Sequence, residues 1–461
     1  MPISPDACAA LSMVVGAAWV RDDEQARLAY GTDALQGGAP ADLVLIPADV
    51  DEIAAIARLC HEHRIPLVVR GAGTGYTGGA VPVQGGVVVS MERFTRILEI
   101  DDANLLAVVQ PNVLTADLQA AVEAHGLFYP PDPASSNISA LGGNVAECAG
   151  GPRAVKYGTT RRYVLALQAV LPTGEIIRTG SKAVKNVVGY DLTQLLVGSE
   201  GTLAVLTEIT LRLVPRPVAT ATLQASFATI EAAVGGVTAL LAARVVPATI
   251  ELVDGGSLAA VERYLGRPVA PPGTGAMLVI EVDGQPAGVE EETHLVSGAL
   301  ASAGALSVHR AATSAERDAL WEARRELSFA LRAAAPRKIN HDVSVPRGRL
   351  PQLFALIAAL EREHDLWIPS FGHAGDGNVH VNIMVDPSDG DVLVRAERAA
   401  RALFEGVVAL EGSISGEHGI GMSKAPYLSL ELAPDVIALM QRVKAAFDPR
   451  HILNPGKIWM G

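Results

Sequence analysis

The sequence predicts an α+β protein of two main domains. Three observations carry this reading. The chain has 461 residues, more than one hydrophobic core ordinarily supports. A sharp proline break stands at Pro215-Arg216-Pro217. Beyond that break, alanine-rich helix-period segments alternate with strand-period segments. The expected layout is an N-terminal helical segment over 1–39, a first domain over 40–217, a second over 218–413, and a closing segment, 414–461, that returns to the first.

In the first domain, Asp42-Leu43-Val44-Leu45-Ile46 reads as a strand ended by Pro47. Asp49 then caps a helix. Glu52 completes a capping box, and Ile53, Ile56, Ala57 and Cys60 form the buried stripe. Leu67-Val68-Val69, Val87-Val88-Val89 and Leu105 to Val109 are further strands. Tyr163 to Leu171 and Glu175 to Thr179 make a hairpin about Pro172-Thr173-Gly174, and Ala204 to Leu213 is a long strand. In the second domain, helices are expected near 228–243, 287–304, 315–334 and 350–364, with strands near 248–253, 276–282, 341–345 and 379–385. An antiparallel sheet covered by helices suits this alternation, and parallel βαβ pairing has the same pattern.

Composition narrows the function. Hydrophobic residues make up 49% of the chain, so a folded core is secure, and the net charge of −13 with scattered basic residues argues against nucleic acid as a partner. No apolar run is long enough to span a bilayer. The first twenty residues carry Asp6 and no basic residue before Arg21, so the charged front of a secretory signal is missing and a cytoplasmic location is expected, peripheral to a membrane only through a partner. Cys8, Cys60 and Cys148 include no Cys-x-x-Cys pair, which disfavours both a disulfide framework and an iron–sulfur cluster held by this chain alone.

Two groups of residues carry chemistry. The first is a set of glycine segments: Gly71-Ala72-Gly73-Thr74-Gly75-Tyr76-Thr77-Gly78-Gly79, Leu141 to Gly151, and Gly198-Ser199-Glu200-Gly201-Thr202. Gly73-x-Gly75-x-x-Gly78 matches the dinucleotide fingerprint literally, with Glu92 beyond it, but a Rossmann unit needs a helix directly after the glycines. Only Ala80 to Gly86, with Pro82 among them, separates the loop from the next strand, so no helix fits. Side-chain-poor backbone can instead close around phosphate oxygens as a nest, and three such segments point to a long ligand with a pyrophosphate and a flat ring. The second group is Gly372-His373-Ala374-Gly375-Asp376-Gly377-Asn378-Val379-His380-Val381-Asn382, answered by Glu417-His418. Two imidazoles about a glycine-rich bend, with a carboxylate–imidazole pair further on, are able to hold a divalent ion and leave a base beside it. That combination reads as a metal-assisted redox or hydrolytic site.

Arg70 to Gly75, Pro131-Asp132-Pro133-Ala134-Ser135, Gly142-Gly143-Asn144-Val145-Ala146, Lys185 to Asp191 and Val197 to Leu203 closely resemble the FAD-binding domain of the vanillyl-alcohol oxidase (PCMH) type. The C-terminal half resembles the FAD-linked oxidase domain of the glycolate oxidase flavin subunit, D-lactate dehydrogenase and D-2-hydroxyglutarate dehydrogenase. The likeness runs over roughly residues 40–458 and rests on several motifs in the right order. It implies FAD held by Arg70, Gly71, Ala72, Gly73, Thr74, Gly75, Pro133, Ser135, Gly142, Gly143, Asn144, Ala146, Gly158, Glu200, Gly201 and Asn454. Thr74 stands where relatives with covalent FAD carry histidine, so the flavin is expected to be non-covalent. Ala204 replaces a glycine common after Gly201-Thr202-Leu203, a small change in local packing.

The resemblance also implies metal ligands at His373, His380 and Glu417. Two neutral imidazoles and one carboxylate suit a catalytic zinc with open positions, and manganese or ferrous iron accept the same set. His380 and Asn382 share one face of a strand, and Gly375-Asp376-Gly377 is expected to turn His373 toward them. A dication chelating the hydroxyl and carboxylate of a 2-hydroxy acid lowers the hydroxyl pKa, and His418 is then the general base. Arg324, in a segment like the one supplying an arginine in the family, and Lys338 are candidate anchors for the substrate carboxylate, and Asn382 is counted with the catalytic residues.

The expected reaction is oxidation of a D-2-hydroxy acid of the lactate, glycolate or 2-hydroxyglutarate class to the 2-oxo acid, with hydride passing to flavin N5. The dication and the flavin ring edge would then have to lie within a few ångströms of each other. Electrons would leave through an iron–sulfur subunit, an electron-transfer flavoprotein, a cytochrome or a quinone system, and a homodimer is the default assembly. The rival readings are a flavin oxidase of sugars or phenols, a zinc hydrolase, and a non-catalytic flavin-carrying subunit.

Overall fold

The computed structural model describes residues 3–35 and 37–459. The chain forms two compact units: the first comprises Met1–Ala149, Thr159–Arg216 and Glu417–Gly461, and the second Gly150–Gly158 and Pro217–Gly416. Among the described residues no helix is long and apolar enough to cross a membrane.

The first unit holds a four-stranded sheet, a five-stranded sheet and a two-stranded pair, Leu127–Phe128 with Val214–Pro215. In the four-stranded sheet, Leu43–Leu45 and Leu67–Arg70 flank Val87–Ser90 in parallel, and Val20–Arg21 adds an antiparallel edge. Parallel strands need both faces covered, and valine and leucine run uninterrupted along these three. Helices Pro5–Val15 and Val50–His63 supply Leu11, Ile53, Ile56 and Cys60 to the same core as Leu43, Leu67 and Val87. The cap of the second helix forms as its sequence predicts, with Asp49 accepting from the amides of Asp51 and Glu52. Glu52 reaches one residue further back than a strict capping box, to the Ala48 amide at 2.6 Å.

The larger sheet is antiparallel, in the order Ile97–Asp101, Leu106–Val109, Val205–Arg212, Val164–Val170, Ile176–Gly180. The expected hairpin and long strand are both present. The chain's last segment rejoins the parallel sheet: the Leu67 amide donates to Ile452 O, and the Asn454 amide to Leu67 O. Lys444 locks this return, donating from a buried ammonium to Asp448 Oδ2 at 2.5 Å and to the carbonyls of Thr202 and Leu453.

The second unit is organised by a seven-stranded sheet whose neighbouring pairs are all antiparallel. Its order is Ser307–Arg310, Ala219–Phe227, Ala276–Gly284, Thr249–Asp254, Ser370–His373, Asn378–Val385, Arg337–Ser344. Helices Ile230–Ala242, Pro286–Ser302, Ser314–Ala334 and Leu350–His364 form close to where periodicity places them. Strands Ala219–Phe227, Ser307–Arg310 and Ser370–His373 and helices Gly255–Leu265 and Val392–Ala409 add to the expected set.

Asn378–Val385 forms the expected strand and is buried at every position, on both of its faces. His380 and Asn382 therefore lie inside the protein, where polar groups require partners.

Candidate functional site

The glycine segments converge within the first unit. Leu67–Arg70 delivers the chain into the loop from Gly71 to Gly79, which contains no helix and no strand. Gly73 has φ +70, and a Cβ there would collide with the Arg70 guanidinium; Gly78 has φ +81, and a Cβ would collide with the Met422 side chain. The positive φ disfavours a side chain at both positions, and the Arg70 and Met422 side chains would have to move to admit one. Arg70 itself donates to the carbonyls of Tyr30 and Thr32, so it ties the N-terminal segment to the loop. Thr74 is half-buried within the loop, between Gly73 and Gly75.

The second glycine segment is a short helix, Leu141–Glu147, a form its sequence did not announce. A Cβ on Gly142 would overlap Pro111, whereas one on Gly143 would meet open space. Asn144 is buried and donates to Thr115 Oγ1 at 2.6 Å. The third segment packs on this helix through the Gly198 amide to Val145 O and the Glu200 amide to Ala146 O. Pro133 O and Ser135 O accept amides that shape the turn before the helix. Gly158, with φ +82, closes helix Ala154–Tyr157 in the segment that groups with the second unit.

Glu200, at φ +52, is buried and accepts from the amides of Ile420 and Gly421 at 2.8 and 2.6 Å. Burial pushes its carboxyl above the usual range, against these two bonds. Asn454, at φ +45, donates to Gly79 O and Glu200 O and so fastens the first glycine segment to the third. Beside the loop, Asp33 Oδ2, Asn112 Oδ1 and Asn454 Oδ1 are buried acceptors with no protein partner. Orphaned buried acceptors around a side-chain-poor loop suit a ligand that brings hydroxyl and N–H donors, as the ribityl, ribose and ring groups of FAD do. His418 lies against the same loop: its ring stacks on Tyr76 with centroids 5.1 Å apart, and its carbonyl accepts from Thr77 Oγ1.

The histidine cluster is assembled in the second unit. Ser370–His373 and Asn378–Val385 form a tight hairpin through Gly375-Asp376-Gly377, with His373 opposite Asn378 and Phe371 opposite His380. Gly377 has φ +90, and its Cβ would strike the Val345 carbonyl, so the turn demands glycine there. The turn brings the two imidazoles together, with ring centroids 5.3 Å apart and planes nearly perpendicular. Glu417 directly follows Gly416, where the second unit ends. His373, His380 and Glu417 each offer a ligand atom, and these atoms all lie within 4.8 Å of one another. The donor set and its closeness suit a divalent ion with positions left for exchangeable ligands.

Around the histidines the structure supplies a residue that sequence reasoning missed. Glu251 is fully buried on Thr249–Asp254, directly opposite His373 in the sheet. Its Oε1 lies 2.6 Å from His373 Nδ1, and its Oε2 accepts from Arg324 Nε at 2.5 Å. Burial raises the Glu251 carboxyl, but His373 and Arg324 outweigh it and leave the group below its ordinary range. The available signal was an acidic residue inside the apolar run Ile250-Glu251-Leu252-Val253.

Arg324 is buried on Ser314–Ala334 with its guanidinium over the Phe371 ring. Asn382 is wired at both ends, donating to Pro369 O and His380 O and accepting from Asn340. Lys338 donates to the Ser328 hydroxyl at 2.7 Å, and burial, helped by Arg332, lowers its ammonium to about 8. Ser328 was not foreseen. The pair forms because Lys338 begins an edge strand beside the helix that carries Ser328.

A flavin cradle of glycine segments and an antiparallel unit carrying buried polar residues define an FAD-linked oxidoreductase of the PCMH type. Family comparison agrees: residues 41–180 match the FAD binding domain, and 216–458 match the C-terminal domain of FAD linked oxidases. The chain belongs to this FAD-linked oxidase family and is an FAD-dependent enzyme acting on CH–OH groups. It is 44% identical over 460 residues to glycolate oxidase subunit GlcD of Bacillus subtilis, covering 99% of this chain and 97% of that one. It is 38% identical to D-lactate dehydrogenase of Anaerostipes hadrus, over 92% of this chain and 91% of that one. The fold matches p-cresol methylhydroxylase with a TM-score of 0.82 at 17% identity, covering 98% of this chain and 96% of that one. It also matches 4-ethylphenol oxidase of Gulosibacter chungangensis with a TM-score of 0.80 at 19% identity, covering 99% and 97%.

Proposed function

We propose that the chain oxidises a D-2-hydroxy acid of the lactate, glycolate or 2-hydroxyglutarate class to the 2-oxo acid with the help of a divalent metal. The observation that carries this reading is the cluster of His373, His380 and Glu417. An oxidase of simple phenols or sugars has no need of it, whereas a 2-hydroxy acid presents two oxygens that chelate a dication. The relatives named glycolate oxidase subunit GlcD and D-lactate dehydrogenase support the substrate class.

Non-covalent FAD would be held by the glycine cradle from Arg70 to Gly75, Gly142 to Ala146 and Glu200-Gly201, with Asn454 behind it. When bound, FAD supplies the hydride acceptor, and the dication, zinc in the first instance, supplies Lewis acidity at the substrate hydroxyl. His373, His380 and Glu417 would hold the metal. Oxidation removes a hydride from C2 and a proton from the hydroxyl. His418, whose ring is steadied by stacking on Tyr76, would take that proton. Lys338 would receive the substrate carboxylate, since its hydrogen-bond partner Ser328 is neutral, whereas Arg324 spends its charge on Glu251. Asn382, bonded at both ends, would hold the His380 strand in place. Electrons would pass to an external protein acceptor, a role supported by the description of the relative as a subunit.

The test is anaerobic reduction of the purified flavoprotein by a panel of D- and L-2-hydroxy acids, before and after metal removal by a chelator. Bleaching of the flavin by D acids, lost on chelation and restored by added zinc or manganese, is expected. Bleaching indifferent to the chelator overturns the metal role, and no bleaching by any 2-hydroxy acid overturns the substrate class.

A further inference from the structure

The proposed metal site leaves one neighbouring group unexplained, a carboxylate fully removed from water and placed between an arginine and a candidate ligand. Glu251 and His373 face each other on adjacent strands, so their approach is imposed by sheet register. One carboxylate oxygen meets His373 Nδ1 at 2.6 Å and the other meets Arg324 Nε. Arg324 is in turn fixed by its place over the Phe371 ring, 4.7 Å from the guanidinium carbon to the ring centroid. The three residues form a chain of contacts from His373 through Glu251 to Arg324.

We propose that Glu251 is a positioning residue that sets the tautomer and orientation of His373, with Arg324 as its buried counter-charge. The inference rests on the metal reading above. An ionised carboxylate only accepts hydrogen bonds, so His373 Nδ1 must carry the proton it donates. The lone pair then resides on Nε2, the ring nitrogen that Glu251 does not touch. A ligating histidine whose other nitrogen donates to a carboxylate is held in one ring orientation and is a more basic ligand. Arg324 pairs with the other carboxylate oxygen and holds the group turned toward the ring.

The geometry makes a sharp forecast for Glu251→Gln. An amide has one acceptor oxygen and one donor nitrogen. Arg324 can only donate, so it claims the oxygen, and the amide NH2 is turned toward His373 Nδ1. The ring must then accept at Nδ1 and carry its proton on Nε2, where it blocks the metal. Removing the competing donor in the double variant Glu251→Gln/Arg324→Met frees the amide oxygen to face His373 and restores the ligating tautomer.

The experiment uses the FAD-loaded full chain. Metal is stripped with a chelator, zinc affinity is measured against a chromophoric competitor, and the cobalt(II) absorption spectrum is recorded. Flavin absorbance and the thermal midpoint establish that each variant is folded. E251Q is expected to bind zinc about 10–100-fold more weakly than the parent with an altered cobalt spectrum, in the range seen when such supporting partners are removed. E251Q/R324M is expected to recover most of that loss, which a merely destabilised fold would not do. Equal zinc affinity and an unchanged cobalt spectrum in folded E251Q overturn the assignment while leaving the metal site standing. A double variant that binds as weakly as E251Q overturns the tautomer argument. A parent protein that binds neither ion overturns the metal reading, and the role of Glu251 with it.

Discussion

The two units build their candidate sites in opposite ways. In the first, the site is shaped by backbone: Gly73, Gly78 and Gly201 adopt positive φ, and at Gly73 and Gly78 neighbouring side chains occupy the space a Cβ would need. In the second, buried side chains come together: Glu251, Arg324, His373 and His380 sit almost out of reach of solvent, and Glu251 pairs with both Arg324 and His373. A cradle of amides suits a long polyanionic cofactor and tolerates small shifts in position. A cluster of charged side chains suits a small ion or substrate, where a misplacement of one group costs far more. The first kind of site should therefore fail gradually and the second abruptly.

The largest expected effect tests the abrupt side. His373→Ala or His380→Ala should lower kcat/KM for the preferred hydroxy acid about a thousandfold, roughly 4 kcal/mol of transition-state stabilisation, while flavin absorbance stays near the parent value. Steady-state kinetics with a parallel absorbance spectrum checks this. Loss of flavin together with activity would break the separation between the two units.

Next in size, Lys444→Met should destabilise the first unit by about 3 kcal/mol, since it strands the buried Asp448 carboxylate and two carbonyls. Asp448 keeps the amides of Ile452 and Leu453, which holds the loss to that level. Denaturant unfolding followed by flavin release reads it. A stability equal to the parent's would show that the C-terminal return is held by something other than this ammonium.

Lys338→Met should raise KM about 10–100-fold, the worth of one charge-assisted hydrogen bond to the substrate carboxylate. In the parent, KM should climb as pH rises through about 8, because the ammonium is charged below that value and neutral above it. The variant's KM should be flat over the same interval. Stability should move the other way. Folding lowers the Lys338 pKa, so charging it is disfavoured in the native state at every pH where the unfolded chain is charged. K338M should thus be the more stable protein at pH 7, by about 1–3 kcal/mol, with the gap closing as pH approaches about 10.4, the value of an unperturbed lysine. Parallel KM and thermal-midpoint profiles against pH test both signs.

The smallest effect is on the gradual side. Asn454→Ala removes the two bonds that join Gly79 O to Glu200 O and should weaken FAD binding modestly, by about 1–2 kcal/mol, without changing the substrate KM. Fluorescence titration of the stripped protein with FAD measures it. A complete loss of flavin would show that the cradle is as brittle as the histidine cluster.

Much of this organisation is legible in the sequence, and unevenly so. The helix Val50–His63 follows from a cap residue and a buried stripe, both local, and the hairpin of Val164–Val170 with Ile176–Gly180 follows from its turn. The glycine loop before Ala80 is readable as a non-Rossmann loop because no helix fits between it and Val87. Harder cases have identifiable reasons. Leu141–Glu147 is a helix despite Gly142 and Gly143, because Gly142 must pass close to Pro111 and tertiary contacts override intrinsic propensity. The alternation puts His380 and Asn382 on one face of their strand, and only packing decides that this face is buried along with the other.

Taken alone, the chain's order of residues determined the two-domain α+β plan, the FAD family and the candidate ligands, because each depends on periodicity or on a motif within a few consecutive positions. Tertiary structure decided which polar residues meet. Glu251 touches His373 across 122 positions of chain, and Arg324 across 73, because antiparallel register sets two strands side by side and a helix brings its arginine to them. Register depends on the packing of the whole sheet, so the pairings that tune the site's charge and tautomer emerge only once the fold is complete.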